Sequence, residues 1–283
     1  MLAGLVLSAA IGGVAYWRGA LSQGGVAGAM LVGTAVFGFG GLAWAVALVA
    51  FFASSSLLSR FRAEQKKGAA ARFSKGSRRD LAQVLANGGL AALIAAASWL
   101  AAGGRPHAVL ACAFLGAVAA ANADTWATEL GLLAKRPPRL ITTGRPVPEG
   151  TSGGVTTPGL LAALGGAAFI GMVASAQVAL LKGPGGWGPA VWTVPVVVAI
   201  AGFAGAAFDS LLGATVQAIY YCERCSTETE SAVHRCGAQA RPVRGWRWLG
   251  NDGVNVFSTA AGASIAALLA ATLMYTVHLP LGR

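Results

Sequence analysis

Charge is the scarcest feature of this sequence. Only 11% of its 283 residues are Asp, Glu, Lys or Arg, against about 25% in ordinary soluble domains, while 55% are apolar. A chain so poor in charge cannot cover a soluble enzyme's surface, and that class is excluded. Acidic residues are scarcer still, ten against 21 basic ones, and there are only three histidines and four cysteines. A net charge of +11 would point to nucleic acid in a soluble chain. In a membrane chain the question becomes which loops hold the cations. What is plentiful is glycine, 40 residues set in Ala-rich apolar runs, a composition that suits helices packing closely in lipid. The sequence describes an all-α integral membrane protein.

A helix needs about 20 apolar residues to cross roughly 30 Å of hydrocarbon. Such runs are read at Leu2 to Trp17, Leu81 to Ala102, His107 to Leu133, Val155 to Leu181, Pro189 to Gln217 and Val254 to His278. Gly24 to Leu58 is too long for one crossing. Phe37-Gly38-Phe39-Gly40-Gly41 at its centre offers the backbone freedom for a reversal. The count is eight spans, or seven if that run does not turn. Met1 to Trp17 lacks a basic start and is followed at once by further membrane segments, so it reads as a retained span rather than a signal peptide.

Three loops carry most of the cations: Arg60 to Arg79 (Arg60, Arg62, Lys66, Lys67, Arg72, Lys75, Arg78 and Arg79), Lys135 to Arg145, and Arg224 to Arg247. With eight spans all three share one side, which the positive-inside rule makes cytoplasmic. The expected location is the cytoplasmic membrane of a prokaryote. Arg60, Arg62, Lys66 and Lys67 read as topogenic, whereas Arg78 and Arg79 stand at the mouth of a span.

Short motifs recur in the same order in the two halves. Ser22-Gln23-Gly24-Gly25-Val26 resembles Thr151-Ser152-Gly153-Gly154-Val155, Ser55-Ser56-Leu57-Leu58 resembles Phe208-Asp209-Ser210-Leu211-Leu212, and Leu85-Ala86-Asn87-Gly88 resembles Leu249-Gly250-Asn251-Asp252. Two parallel four-helix repeats would put each pair on one membrane face. The chain then divides into 1–103, with a basic loop at 59–80, and 104–283, with loops at 134–153 and 218–252. Chance similarity in Gly-rich sequence is the competing reading.

Asp124, Glu129 and Asp209 lie within otherwise apolar spans. An acid costs about 2.5–3.5 kcal/mol at mid-helix on insertion scales, so it faces a cavity, a partner or an ion. At 100° per residue, Asn122, Asp124, Thr125, Thr128 and Glu129 share one arc of their helix. Asp124 is roughly 12–16 Å of helix from the loop at Lys135, Asp209 is near the same end of its span, and Asn251-Asp252 opens the last one. Oxygen ligands of this kind suit Mg²⁺ held together with phosphate oxygens. Pairing with arginine or helix capping is the alternative for each acid.

Gly150-Thr151-Ser152-Gly153-Gly154-Val155-Thr156 leads from a basic loop into a span and has the outline of a phosphate cradle, with backbone N–H groups and a helix N-terminus behind them. It does not fit the ordinary P-loop pattern. Lys135, Arg139 and Arg145 lie just upstream. Cys222-x-x-Cys225, eight further residues and His234-x-Cys236 have the spacing of a tetrahedral structural zinc site, a small zinc-ribbon-like loop. Cys112, inside a span, reads as packing. His107 and His278 fall at the outer ends of spans, so no histidine stands beside Asp124.

Gly76 to Arg79 through Gln83 to Gly88, Asn122-Ala123-Asp124-Thr125-Trp126-Ala127-Thr128-Glu129-Leu130-Gly131, Arg139 to Thr143, Gly150 to Thr156, Asp209 to Thr215 and Asn251-Asp252-Gly253-Val254-Asn255 together resemble one family. It is the membrane family that contains plant phytyl-phosphate kinase and animal transmembrane homologues. The likeness runs from about Leu21 to Phe257. It implies transfer of a phosphoryl group, from CTP, to an isoprenoid monophosphate such as phytyl phosphate. The Cys/His loop lies where that family varies, so its zinc role rests on spacing alone.

On this footing Asp124 and Asp209 are expected to hold Mg²⁺ on the nucleotide phosphates, with Glu129 and Asp252 as further ligands or as groups supporting the ligands from behind. Gly150, Thr151, Ser152, Gly153 and Gly154, with Lys135, Arg139 and Arg145, would cradle the triphosphate. Arg78, Arg79 and Asn87, with Asn122, Asn251 and Asn255, would hold the acceptor phosphate. Cys222, Cys225, His234 and Cys236 would hold zinc. The expected partners are an isoprenoid or lipid phosphate and a nucleotide, not nucleic acid, and a homo-oligomer is compatible. A cytidylyltransferase or other lipid-phosphate transferase would use much the same groups, and a repeat-built transporter is the third class.

Overall fold

The computed structural model describes residues 1–70, 78–101, 104–182 and 190–276. Arg72, Lys75, Gly76, Ser77 and His278 lie outside the described residues, as does the side chain of Lys67. In chain order the elements are α1 (Leu2–Trp17), α2 (Gln23–Ala35), a π-helical turn (Val36–Gly40), α3 (Gly41–Arg60), α4 (Ala63–Ala70), α5 (Leu81–Leu100), α6 (Gly104–Gly131), β1 (Arg139–Leu140), β2 (Gly154–Val155), α7 (Thr157–Lys182), α8 (Ala190–Thr215), β3 (Ile219–Cys222), β4 (Thr227–Thr229), β5 (Arg241–Arg244) and α9 (Asn251–Thr276).

Six segments are long and apolar enough to cross a membrane, and Leu2–Trp17 is a shorter apolar helix. One of the six, Gln23–Arg60, has 38 residues. As one straight helix it would reach about 57 Å, nearly twice the hydrocarbon thickness. It folds back instead. Gly41 has φ +73° and ψ −169°, a conformation open in practice only to glycine, and the π-helical turn before it relaxes the last turn of α2. The two ends of this hairpin lie together. The Arg60 guanidinium donates to the Arg18 carbonyl in the short link between α1 and α2, and Ser22, the N-cap of α2, donates its N–H to Arg79 O at 3.0 Å. At the opposite end, Phe39 packs against Trp99 with ring centroids 5.7 Å apart and the ring planes tilted by 51°. Eight helices, α1 to α3 and α5 to α9, thus make up the bundle, and the three basic loops emerge at one end of it.

Small residues set the packing. A Cβ on Gly262 of α9 would fall 2.6 Å from the Gly116 carbonyl of α6, and one on Gly205 of α8 would fall 2.6 Å from the Ala120 Cβ. Ser258 on α9 donates to the Gly205 carbonyl at 3.0 Å. Helix α6 is the hub, packed by α3, α5, α7, α8 and α9, whereas in the first half α2 lies between α1 and α5. The helix order of the two halves is alike, but their packing is not: α2 runs along α5, and α7 does not run along α9.

All described strands are at the basic end. β1 pairs with β2 antiparallel, Arg139 opposite Val155. The other sheet has the order β4-β3-β5 and is inserted between α8 and α9. The Gly-rich motif therefore differs from the expectation that a span begins at Val155. Gly154 and Val155 are strand, and α7 starts at Thr157, with the Thr156 hydroxyl accepting from Gly159 N–H at 3.1 Å. Replacing Gly41 by alanine should cost about 1–3 kcal/mol, read as a lower melting temperature in detergent, whereas Gly13→Ala, on open helix surface, should not lower it.

Candidate functional site

The polar arc of α6 does not face one partner. At one edge Asn122 is fully buried: its Oδ1 accepts from Ser54 at 3.0 Å and Ser55 at 3.2 Å of α3, and its Nδ2 donates to the Gly166 carbonyl of α7 at 2.7 Å. Two turns on, Glu129 accepts from Ser59 at 2.6 Å and forms an ion pair with Lys66 at 2.6 Å. Lys66 also donates to the Leu58 carbonyl at 2.7 Å. These two residues tie α3 and α4 to α6, which corrects the expectation that Asn122 contacts an acceptor and Glu129 a metal: every polar atom of Asn122 is used, and Glu129 has a buried cation of its own. Lys66 is 5% exposed, so it is a structural partner rather than a topogenic charge alone.

The other edge carries Asp124. Helices α6 and α8 run in the same direction through the bundle, with Ala120 against Gly205. One turn further on each helix bears an acid, Asp124 and Asp209, and the two carboxylates repel each other. Glu230, in the loop after β4, adds its charge to both. One oxygen of Glu230 accepts from Ser152 Oγ at 2.7 Å and from the buried Gln217 Nε2 at 3.0 Å. Asp209 Oδ2 is buried with no hydrogen-bond partner among the described residues, and no Lys or Arg among them pairs with Asp124 or Asp209. Asp124 and Asp209, two carboxylates in a low-dielectric setting with no Lys or Arg among the described residues pairing with them, make a place for a cation, and Glu230 adds a third carboxylate nearby. Glu230 and Gln217 escaped the sequence reading because polar residues in a polar loop give no signal.

Beside this trio lies a small open cleft between Gly150, Thr151 and Ser152 on one side and Ile219 and Glu228 to Glu230 on the other. The Gly-rich turn is partly self-satisfied. Gly154 N–H donates to Thr151 O at 2.9 Å and Thr151 N–H to Pro148 O at 3.2 Å, so those two amides do not face an anion. Gly153, at φ +81°, packs on the backbone of Ala214 at the end of α8. Lys135, Arg139 and Arg145 are exposed on the same end; Arg139 donates to the Gly144 carbonyl at 2.7 Å. Asn251 and Asp252 form the first turn of α9, and Asn255, one turn on, is buried.

Arg78 and Arg79 are placed apart from the trio. Arg78 is exposed, against Tyr16 and the Leu21 carbonyl. Arg79 lies over Phe51 and Phe52, 5.7 and 5.4 Å from their centroids. Burial pulls its guanidinium down to about 10, and the Glu129 carboxylate opposes that shift. With Gln83 and Asn87 it closes the basic end of an apolar cavity of about 690 Å³, which runs between α2 and α3 to Phe37. Helix α3 stands between this cavity and α6, with Phe51 and Phe52 on one side and Ser54, Ser55 and Ser59 bonded on the other.

The four ligand atoms of Cys222, Cys225, His234 and Cys236 all lie within 4.8 Å of one another, a group able to hold a metal ion. The neighbouring His234 ring and the Ala238 backbone pull the Cys236 thiol down to about 6, favouring the thiolate that binds metal. Cys112 is buried in α6 packing, as expected.

The family described as Integral membrane protein DUF92 matches residues 6–263. Protein PGR of Arabidopsis thaliana is 32% identical over 278 residues, covering 90% of each chain. An uncharacterized membrane protein of Methanocaldococcus jannaschii is 38% identical over 152 residues, 54% of this chain and 60% of that one. Another from Synechocystis is 28% identical over 228 residues, 80% of this chain and 73% of that one. No solved structure matches.

Removing one side of the buried Lys66 and Glu129 pair, as in Lys66→Met, should cost about 3–5 kcal/mol of stability. The double variant Lys66→Met with Glu129→Leu should recover most of that in thermal unfolding and keep whatever activity the protein has.

Proposed function

The chain belongs to the DUF92 integral membrane family, and from that premise we propose that it is a phosphotransferase that moves the terminal phosphoryl group of a nucleoside triphosphate, CTP, to an isoprenoid monophosphate. The observation that carries this reading is the Asp124 and Asp209 pair, close together with no Lys or Arg among the described residues pairing with either, with Glu230 and an exposed basic loop beside them. These three side chains would hold Mg²⁺, which supplies charge neutralisation on the transferred phosphoryl group. Exposed Lys135, Arg139 and Arg145 and the cleft at Gly150 to Ser152 are placed to receive the nucleotide phosphates. Asp252, Asn251 and Asn255, on the first turns of α9, are proposed as flanking contacts.

The cavity between α2 and α3, with Arg79, Gln83 and Asn87 at its basic end and Arg78 at the rim, would bind the acceptor on entry, and the acceptor phosphate would have to move past α3 to the trio before transfer. A phosphate monoester has a second pKa near ~6, so at neutral pH an ionised oxygen attacks without a general base. That oxygen forms the new bond to the terminal phosphorus, the bond from that phosphorus to the bridging oxygen breaks, and CDP leaves. What the side chains contribute is position and charge. The basic end would face the cytoplasm by the positive-inside rule, and the ordered motifs of the two halves would reflect an ancestral duplication.

The test is purified protein with Mg²⁺, labelled CTP and prenyl monophosphates. CDP and a prenyl diphosphate are expected; release of pyrophosphate would instead identify a cytidylyltransferase and overturn the kinase reading. Asp124→Asn should lower turnover by about 100-fold or more, the equivalent of several kcal/mol of lost charge stabilisation, without lowering the melting temperature. Arg79→Ala should raise KM for the acceptor more than it lowers kcat, since it removes a binding contact. Ala29→Trp, which intrudes on the cavity, should discriminate against long-chain acceptors.

A further inference from the structure

We propose that Cys222, Cys225, His234 and Cys236 bind a structural Zn²⁺ that acts as a strut, holding Glu230 against Asp124 and Asp209. The metal site stands on the geometry of its four ligands, and its mechanical role on the β3–β4 pairing and the Glu230 contacts to Ser152 and Gln217; the consequence for turnover rests on the phosphotransfer reading above.

The ligand geometry fits zinc and not a disulfide. Cys222 and Cys236 have their sulfurs 3.7 Å apart. A disulfide would need about 2.05 Å, while two thiolates on one tetrahedral Zn²⁺, each at about 2.3 Å, stand roughly 3.8 Å apart. Cys222 is fully buried and His234 is 8% exposed, with its Nε2 buried and lacking a hydrogen-bond partner among the described residues. The residue after the second ligand of each half takes a left-handed backbone, Ser226 at φ +48° and Gly237 at φ +80°, so two similar turns present the ligands to each other. Four protein ligands leave no open position, which makes the site structural.

The strut follows from where the ligands sit in the chain. Cys222 ends β3, and β3 pairs with β4 through Tyr220 opposite Thr229 and Cys222 opposite Thr227. Glu230 is the next residue after β4 and lies between the two ligand pairs. Its other supports are side chains from elsewhere, Ser152 before β2 and Gln217 at the end of α8. A three-residue strand is too short to hold a carboxylate close to two others by itself, so a crosslink on both sides of Glu230 restrains the loop against that repulsion.

The experiment is elemental analysis of the purified full chain, followed by hydrogen exchange with and without a zinc chelator. About one zinc per chain is expected in the wild type, Cys112→Ser and Glu230→Gln, and almost none in Cys225→Ser. Cys225→His should restore it, which separates ligand loss from misfolding. Cobalt exchanged into the site should give thiolate charge-transfer absorption. On chelation, exchange should rise across residues 217–246 and 150–155 and stay unchanged in α6 to α9. Iron in place of zinc, no bound metal, or exchange at 150–155 that does not respond to chelation would overturn the proposal. If zinc and the exchange response are found but no phosphoryl transfer occurs under any acceptor, the strut stands and the kinase reading fails.

Discussion

Asp124 and Asp209 repel each other across a helix contact otherwise made of glycine and alanine. Because Ala120 and Gly205 bring α6 and α8 almost to backbone contact, the acids one turn further on cannot move apart without separating the helices. An apolar bundle does not offer water to either. The remaining features of the basic end can be read as consequences: a loop that adds a third carboxylate rather than a cation, a ribbon that holds this loop, and exposed arginines and a lysine at the perimeter. On the proposed function, a divalent ion with phosphate oxygens would satisfy such an arrangement.

Two kinds of buried acid are therefore present on one helix. Glu129 is neutralised by Lys66 and bonded by Ser59, and it helps to fix α3 and α4 onto α6. Asp124 is left without a counter-charge from the described chain and meets Asp209. The difference is one of angular position: residues 122 and 129 point to one side of α6 and residue 124 points about 140–160° away, at 100° per residue. Structure and function use opposite sides of the same hub.

Much of this was legible in the sequence for identifiable reasons. The reversal at Gly41 could be read because a 38-residue apolar run has no other way to fit a bilayer. Asp124 and Asp209 could be read because acids in apolar spans are costly, and the Cys/His loop because ligand spacing is a chemical pattern. Glu230 could not be read, since an acid in a polar loop is unremarkable until the ribbon brings it to Ser152 and Gln217. The common role given to the α6 arc failed because a wheel shows which residues share a side but not that two different helices divide it. The Gly-rich motif was taken as a helix entrance, but pairing with Arg139–Leu140 drew Gly154 and Val155 into a strand.

The claim on which the account turns is that Asp124 and Asp209 together bind a divalent cation. Manganese titrated into the purified protein with a non-hydrolysable CTP analogue, followed by electron paramagnetic resonance, measures this directly. The account predicts tightly bound manganese in the wild type that is lost in Asp209→Asn and unaffected by Asp80→Asn, an acid at the N-cap of α5. Equal manganese binding in the wild type and Asp209→Asn would contradict it.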